Sequence, residues 1–406
     1  MIFAFYFFAA ILILLGCKSL SGGIEYLKYF KKELSKPESD FAPFASVIVP
    51  CRGVDQNLHE NLSVLFAQDY PNYEVIFAVD NENDESIKII EEVSRQVANE
   101  QRKIKTKIIV AGKATDSSQK VYNLRRAVLE VSDACEIFVF VDSDARPGKD
   151  WLKNLVAPLR DEQIGCSTGY RWFISKRGGF SSQLRAVWNA SIASALGANM
   201  KNNFCWGGST AMRRETFEKL KTGEKWRGTL SDDFVVTRTM KTANLPIYFV
   251  PQCLTATIED CDFGELLEFS TRQMKITRVY APNLWKASFA GSLLFTMTFW
   301  TGVLLLFFAR GWHFWLTLFL LLVIFALGAG KARLRLAAVR LVLKDFENEL
   351  NRQFIWQITL WTISPALYFY NCFCALLSRK ITWRGIVYKL LSPNSTAILS
   401  DGQQIK

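Results

Sequence analysis

The sequence predicts an α/β domain with a mostly parallel sheet and flanking helices, joined to transmembrane helices. Three observations carry this. Short apolar runs alternate with helix-spaced stretches between residues 46 and 141, the pattern of a parallel sheet wound with helices. The apolar runs end in Pro50, Asp80 and Asp142, and ligands of such sheets gather beyond the carboxyl ends of the strands. Long uncharged segments lie outside this region, at Met1–Cys17, Ala287–Ala309, Gly311–Gly330 and Gln353–Ser378, against the roughly 20 apolar residues that a spanning helix needs, or about 17 at the short limit.

Taken in order, Met1–Cys17 ends at Lys18 and reads as an N-terminal anchor over residues 1–17. A cleaved signal is the alternative, but no positive residue precedes the apolar run and no Ala-x-Ala site follows it. Residues 18–43, with the polar Ser35–Asp40 stretch, read as a linker. Ser46–Pro50 is a first strand. Asn57–Gln68 places Leu58, Leu62, Leu65 and Phe66 at helical spacing. Tyr73–Asp80 is a second strand, Ile87–Val97 a second helix, Ile108–Val110 a third strand, Lys120–Val131 a third helix and Ile137–Val141 a fourth strand. The soluble domain is expected over 44–284, closing in an interfacial helix. The region 285–378 is expected to hold two spans and a broken, re-entrant hairpin around Pro365, because a mid-segment proline kinks or breaks a helix; a straight last span is the alternative. Residues 379–406 form a tail. Lys/Arg cluster after Lys18, in the 331–352 loop and in the tail, which predicts a multi-pass protein with its soluble domain on the cytoplasmic side.

Composition excludes several chemistries. Only two histidines, His59 and His313, are present, and nine scattered cysteines form no C-x-x-C pair, so a zinc site and a Ser/His/Asp triad are poorly supported. No P-loop occurs, nor a Gly-x-Gly-x-x-Gly turn after the first strand. Much of the net charge of +11 flanks apolar segments, which fits attraction to an anionic lipid surface and makes nucleic acid a poor partner. No pattern speaks to oligomeric state.

Asp142-Ser143-Asp144 follows the fourth strand. Aspartates spaced i, i+2 there can grip a hard divalent cation together with a diphosphate; a strand-end turn is the plainer alternative. In Trp206-Gly207-Gly208-Ser209-Thr210 the glycines permit close backbone approach and the indole can stack on a sugar, or the segment is a turn with a core tryptophan. Asp232-Asp233 precedes a helix-like run, as a helix cap or as a carboxylate general base. Arg272-Gln-Met-Lys275 offers cations for a diphosphate, or juxtamembrane charge.

Together these residues resemble membrane-bound family 2 glycosyltransferases with the GT-A fold, and within them the ceramide glucosyltransferase branch with its bacterial lipid- and hopanoid-glycosylating relatives. Similar stretches are Asn61–Val75, Asp80–Asp84, Gln119-Lys120 with Asn123-Leu124, Asp142/Asp144, Asp232-Asp233 and the tail Ile381–Gly385 with Tyr388. The resemblance covers about residues 44–280 and that tail. It implies a metal-dependent, inverting hexosyltransferase moving a hexose, with glucose expected, from a UDP-sugar to a hydroxyl of a ceramide-like, diacylglycerol or hopanoid acceptor in the bilayer. It implies Asp233 as the catalytic base; Pro50, Asp80, Asp84, Lys120, Asp142, Arg272 and Lys275 around the nucleotide sugar; Trp206, Gly207, Gly208 and Asp232 around the sugar and acceptor; and Asp142 and Asp144 on Mg²⁺ or Mn²⁺. A bacterial inner membrane is the expected compartment, an ER or Golgi membrane the alternative. One departure stands out. The family's last motif is Gln/Arg-x-x-Arg-Trp, and here it is Arg272-Gln-Met-Lys275-Ile276; Lys cannot reproduce bidentate phosphate binding by Arg. The rivals are a processive polysaccharide synthase, which needs a channel through more spans, and an inactive membrane scaffold.

Overall fold

The structure is a computed structural model and describes residues 2–99 and 104–401; the last five residues of the expected tail lie outside them. The described chain divides into two units.

The α/β unit holds Glu33–Phe173, Ala195–Glu259 and the segment from Lys380 onward. Its sheet contains β1 (Ala45–Pro50), β2 (Tyr73–Val79), β3 (Lys105–Val110), β4 (Ile137–Phe140), β5 (Cys166–Ile174), β6 (Thr210–Arg213) and β7 (Ile247–Ile258). The order is β3-β2-β1-β4-β6-β5-β7. The first four strands are parallel, as expected, and β6 runs antiparallel to both β4 and β5. Val47, Ile48, Val49, Ile76, Phe77 and Val139 are wholly buried. Being covered on both faces, these strands read as continuous apolar runs and were therefore legible.

β5, β6 and β7 have no counterpart among the expected strands. β7 contains Pro251, which argues against a strand in any sequence pattern, and its residues are buried on both faces, so no alternation marks it. The chain after Lys380 is not a simple tail. It forms β8 (Lys380–Trp383), β9 (Ile386–Ser392) and β10 (Ser395–Asp401), an antiparallel sheet in the order β10-β9-β8.

The helical unit holds Met1–Lys32, Ile174–Ser194 and Asp260–Arg379. Its first helix runs from Ile2 to Leu34, through most of the expected linker. No breaker interrupts it before Pro37, and the residue ahead of a proline leaves the helical region. Its small residues fit a neighbour: a Cβ on Gly16 would lie 2.9 Å from Leu327, and one on Gly23 3.2 Å from Lys331, both on the helix Trp312–Arg340. Among the described residues three helices, Ile2–Leu34, Pro282–Leu305 and Trp312–Arg340, are long and apolar enough to cross a membrane. The last apolar segment is broken, with a 59° bend between Lys344–Thr362 and Ser364–Leu377. Pro365 sits in the first turn of the second piece, where its missing N–H costs nothing. Phe263–Tyr280, expected to close the soluble domain, belongs to this unit. Its Leu266 and Met274 share a core with Trp188, Trp285 and Leu367, and a capping box of Asp262 and Glu265 starts it.

Candidate active site

The site lies at the carboxyl ends of β1, β2 and β4. Pro50 closes β1 opposite Ala78. Asp80 follows β2 and is almost fully buried. Its Oδ2 accepts from Arg52 Nη1 at 2.5 Å and its Oδ1 from Asn81 Nδ2 at 2.7 Å. Burial nevertheless pushes its pKa up, outweighing the Arg52 charge. Asp84 is buried and spent on backbone: it accepts from Gly53 N at 3.0 Å and from Ser86 N at 2.9 Å and Ser86 Oγ at 2.6 Å. It thereby fixes the loop after β1 to the start of the helix Ser86–Asn99.

The helix Gln119–Ala127 divides its faces between structure and site. Gln119 Nε2 donates to Gly112 O and to Asn123 Oδ1, each at 2.8 Å. Asn123 Nδ2 donates to Ala78 O at 3.0 Å. These amides bind the helix to the strand ends, and the intervening Lys120 points elsewhere. The N-cap Ser118 donates its hydroxyl to Leu230 O at 2.7 Å, which draws this helix to the segment carrying Asp232. Lys120 Nζ then lies 2.7 Å from Asp142 Oδ1 and 3.1 Å from Asp232 Oδ1. Burial works against its charge, but Asp142, Asp232 and Asp233 together push its pKa upward.

The Asp142–Asp144 turn is held by Asn61, whose Nδ2 donates to Ser143 O at 3.2 Å, and by Asp55, which accepts from Ser143 Oγ at 2.6 Å. Asp144 Oδ1 is buried with no hydrogen-bond partner. Burial, and then repulsion from Asp142, push the Asp144 pKa up to about 6; Arg171, 3.8 Å away, pulls it down.

Register explains the glycines. Thr210 starts β6 opposite Phe140 at the end of β4, so Trp206–Ser209 falls at the same edge as Asp142. A Cβ on Gly207 would lie 2.2 Å from Asp232 Oδ2 and 2.7 Å from Lys120 Nζ, and one on Gly208 2.2 Å from the Trp206 ring. Both glycines therefore make room for the charged cluster and the indole. Trp206 takes the second of its two expected forms, a tryptophan packed into the core. It is 4% exposed, with Tyr170 packed at 5.6 Å and the Arg171 guanidinium over its ring at 5.3 Å. The expected stacking face is covered by an arginine.

Asp232 and Asp233 open the helix Asp232–Thr242 behind the N-cap Ser231. Asp232 is buried, and burial pushes its pKa up to about 6 against the pull of Lys120. Asp233 is partly exposed; its Oδ1 accepts from Ser231 Oγ and, at 2.7 Å, from Phe234 N. Arg272 and Lys275 belong to the helical unit. There the Arg272 guanidinium lies 5.7 Å from the centre of the Phe269 ring and 3.8 Å from Glu268, and burial lowers the Lys275 pKa.

Arg52, Asp55 and Arg171 were not singled out from the sequence, and Arg384 entered only inside the similar tail stretch Ile381–Gly385, with no role of its own. Arg384 sits in the β8–β9 turn, pairs with Asp55, and donates from Nη1 to Arg52 O at 3.5 Å. Apart from that stretch, its local signal is the Arg-Gly dipeptide between two alternating apolar runs. Among the described residues no group of three His, Cys, Asp or Glu side chains is assembled for a metal. The pair Asp142/Asp144, with its orphaned oxygen, suits a cation that completes its shell from phosphate oxygens and water, as Mg²⁺ commonly does.

The profile of glycosyl transferase family 21 matches residues 10–396. Ceramide glucosyltransferase 1 of Caenorhabditis elegans is 23% identical over 195 residues, 47% of this chain and 41% of that protein. Glycosyltransferase AglE of Haloferax volcanii is 28% identical over 143 residues, 35% of this chain and 43% of that protein. The chain thus spans less than half the length of these relatives. Among solved structures, the mannosyltransferase PcManGT of Pyrobaculum calidifontis, in complex with GDP-Man and Mn²⁺, covers 91% of this chain and 98% of its own at 18% identity, with a TM-score of 0.43.

Proposed function

The chain belongs to glycosyl transferase family 21, and from that premise we propose that it moves a hexose from a UDP-sugar to the hydroxyl of a membrane lipid, with inversion at the anomeric carbon. Glucose is the expected sugar and a ceramide-like, diacylglycerol or hopanoid lipid the expected acceptor. The observation that carries the reading is the buried, unpartnered Asp144 Oδ1 beside Asp142 at a strand end, inside the network that also holds Lys120, Asp232 and Asp233.

In this reading Asp80 receives the uridine or ribose, and Pro50 and Asp84 shape the loop around it. Asp142 and Asp144 hold Mg²⁺ or Mn²⁺, which when bound stabilises negative charge on the departing diphosphate. Lys120 keeps Asp142 and Asp232 close despite their like charge. Gly207 leaves space where a side chain would displace that cluster, Gly208 makes room for the Trp206 ring, and Asp232 lines the sugar side. Asp233, fixed by Ser231 and the Phe234 N–H, takes the proton of the acceptor hydroxyl. Attack on the anomeric carbon opposite the diphosphate is one displacement, so the configuration inverts. The three apolar helices support a membrane setting; the acceptor stays in the leaflet, and the Lys/Arg distribution in the sequence favours the cytoplasmic side for the site.

The test is a transfer assay on full-length protein in detergent. Labelled UDP-glucose, UDP-galactose and UDP-N-acetylglucosamine are offered with Mg²⁺ or Mn²⁺ and a lipid extract. A discrete labelled lipid is expected. Asp233→Asn is expected to lower turnover by about 10²-fold or more while leaving donor affinity within about twofold. Equal turnover in that variant rejects Asp233 as the base. A growing polymer product favours a synthase, and no consumption of any donor favours a scaffold.

A further inference from the structure

We infer that Arg384, at the tip of the C-terminal hairpin, is a donor-binding residue whose guanidinium grips the diphosphate of the nucleotide sugar. The inference rests on the transferase reading above and adds a residue that supplies phosphate contacts from the far end of the chain.

The backbone gives the first indication. Trp383 pairs with Ile386, so Arg384 and Gly385 form a two-residue turn, and both have positive φ, 51° and 77°. A hairpin turn with two such residues favours Asn or Gly first. An arginine held there is strained, and strain of this kind gathers where a side chain must be delivered to a site.

The hairpin that presents it is fastened at both ends. Tyr388 is buried and its hydroxyl accepts from Gln119 N at 3.1 Å, the residue before Lys120. At the other turn Arg238 Nη2 donates to Asn394 Oδ1 at 2.6 Å, and a Cβ on Gly228 would lie 2.3 Å from Asn394 O. Arg384 is therefore placed by the fold of the α/β unit. Its partner Asp55 also accepts from Ser143 Oγ at 2.6 Å, so the guanidinium is one carboxylate away from the Asp142–Asp144 turn.

Charge and exposure select it from its neighbours. Among the described residues the network joins Asp55, Asp80, Asp84, Asp142, Asp144, Asp232 and Asp233 to the four cations Arg52, Lys120, Arg171 and Arg384. Lys120 is enclosed by Asp142 and Asp232, with 15% of its side chain exposed. Arg52 is closed in by Asp80 at 10%, and Arg171 lies against Trp206 at 14%. Arg384 is 38% exposed. It is the cation of the four with room to meet an incoming anion, and its planar fork suits a phosphate bidentately. Asp55 then serves as the parking partner when no donor is bound.

Arg384→Gly is the informative variant, because glycine accepts the positive φ and keeps the turn while the guanidinium is lost. Full-length protein in detergent with Mn²⁺ is titrated with UDP and, separately, with uridine. Arg384→Gly is expected to weaken UDP binding by about tenfold or more, the loss of one charge-assisted pair, with uridine binding within about twofold of wild type. Arg384→Lys is expected to fall between, since it keeps the charge without the fork. If wild type binds UDP and Arg384→Gly binds it equally well, or loses UDP and uridine in the same proportion, the arginine only staples the hairpin and the inference is overturned. If wild type binds no UDP while its melting transition is intact, the transferase reading itself falls, and this inference with it.

Discussion

Lys120→Met removes the charge that lies between Asp142 and Asp232 while keeping most of the apolar stem. The two nitrogen–oxygen distances are 2.7 and 3.1 Å, and at an effective dielectric of about 20 each pair is worth on the order of 5 kcal/mol before desolvation. Most of that is offset by the cost of burying the charges, so the net penalty for removing one partner is about 3–5 kcal/mol. For a domain of this size that corresponds to a fall in Tm of roughly 6–20 °C at pH 7. The loss should shrink on acidification. Asp232 already titrates near 6 in the folded protein, raised by burial from 3.8. Without Lys120 its folded pKa rises further, and a raised folded pKa means stability that is present below the unfolded value and lost as pH rises through the folded one. At pH 5 the variant takes up a proton that its unfolded chain does not, so its deficit against wild type should fall to less than about half. Thermal melts of both proteins in detergent at pH 5 and pH 7 measure this. A deficit below about 2 °C at pH 7, or one equal at both pH values, would refute the claim that Lys120 holds the half-buried Asp142 and the buried Asp232 together.

Gly207→Ala introduces a Cβ 2.2 Å from Asp232 and 2.7 Å from Lys120. The expected outcome in the transfer assay is at least about a tenfold loss of activity with about 1–3 kcal/mol of destabilisation, and unchanged activity would show that the cluster can shift at no cost. Mn²⁺ with UDP should raise the Tm of wild type in proportion to ligand excess. Asp144→Asn, which takes the charge from the orphaned oxygen's carboxylate, should abolish most of that rise; an equal rise in the variant would remove Asp144 from the metal-binding pair.

Much of the α/β unit was legible because its parallel strands are buried on both faces, and such strands show as apolar runs ending in the residues that matter. Asp80 and Asp142 stand at strand ends in the sequence and in the structure. The antiparallel half was not legible, since β6 is four residues long and β7 carries a proline. Legibility also failed where one residue type serves two ends. Asp84 spends its oxygens on backbone donors, and Trp206 is covered by Arg171; neither fact is encoded in spacing. The end of the first helix shows the same limit. The loss of hydrophobicity at Lys18 suggested a boundary, but a helix continues as long as its backbone bonds and packing do, and here it runs to Leu34.

Periodicity and turn chemistry act over a few neighbouring residues, so the α/β class, the apolar segments and the acids at the strand ends can be read along the chain. Which charges meet is set by the assembled fold. Lys120 stands between Asp142 and Asp232, residues far from it along the chain, because Ser118 reaches Leu230 and the helix lies against the strand ends. Arg384 reaches Asp55 across more than three hundred residues because Tyr388 and Asn394 seat its hairpin on the same unit. Such contacts depend on register and close approach through the whole fold, and no local pattern carries them.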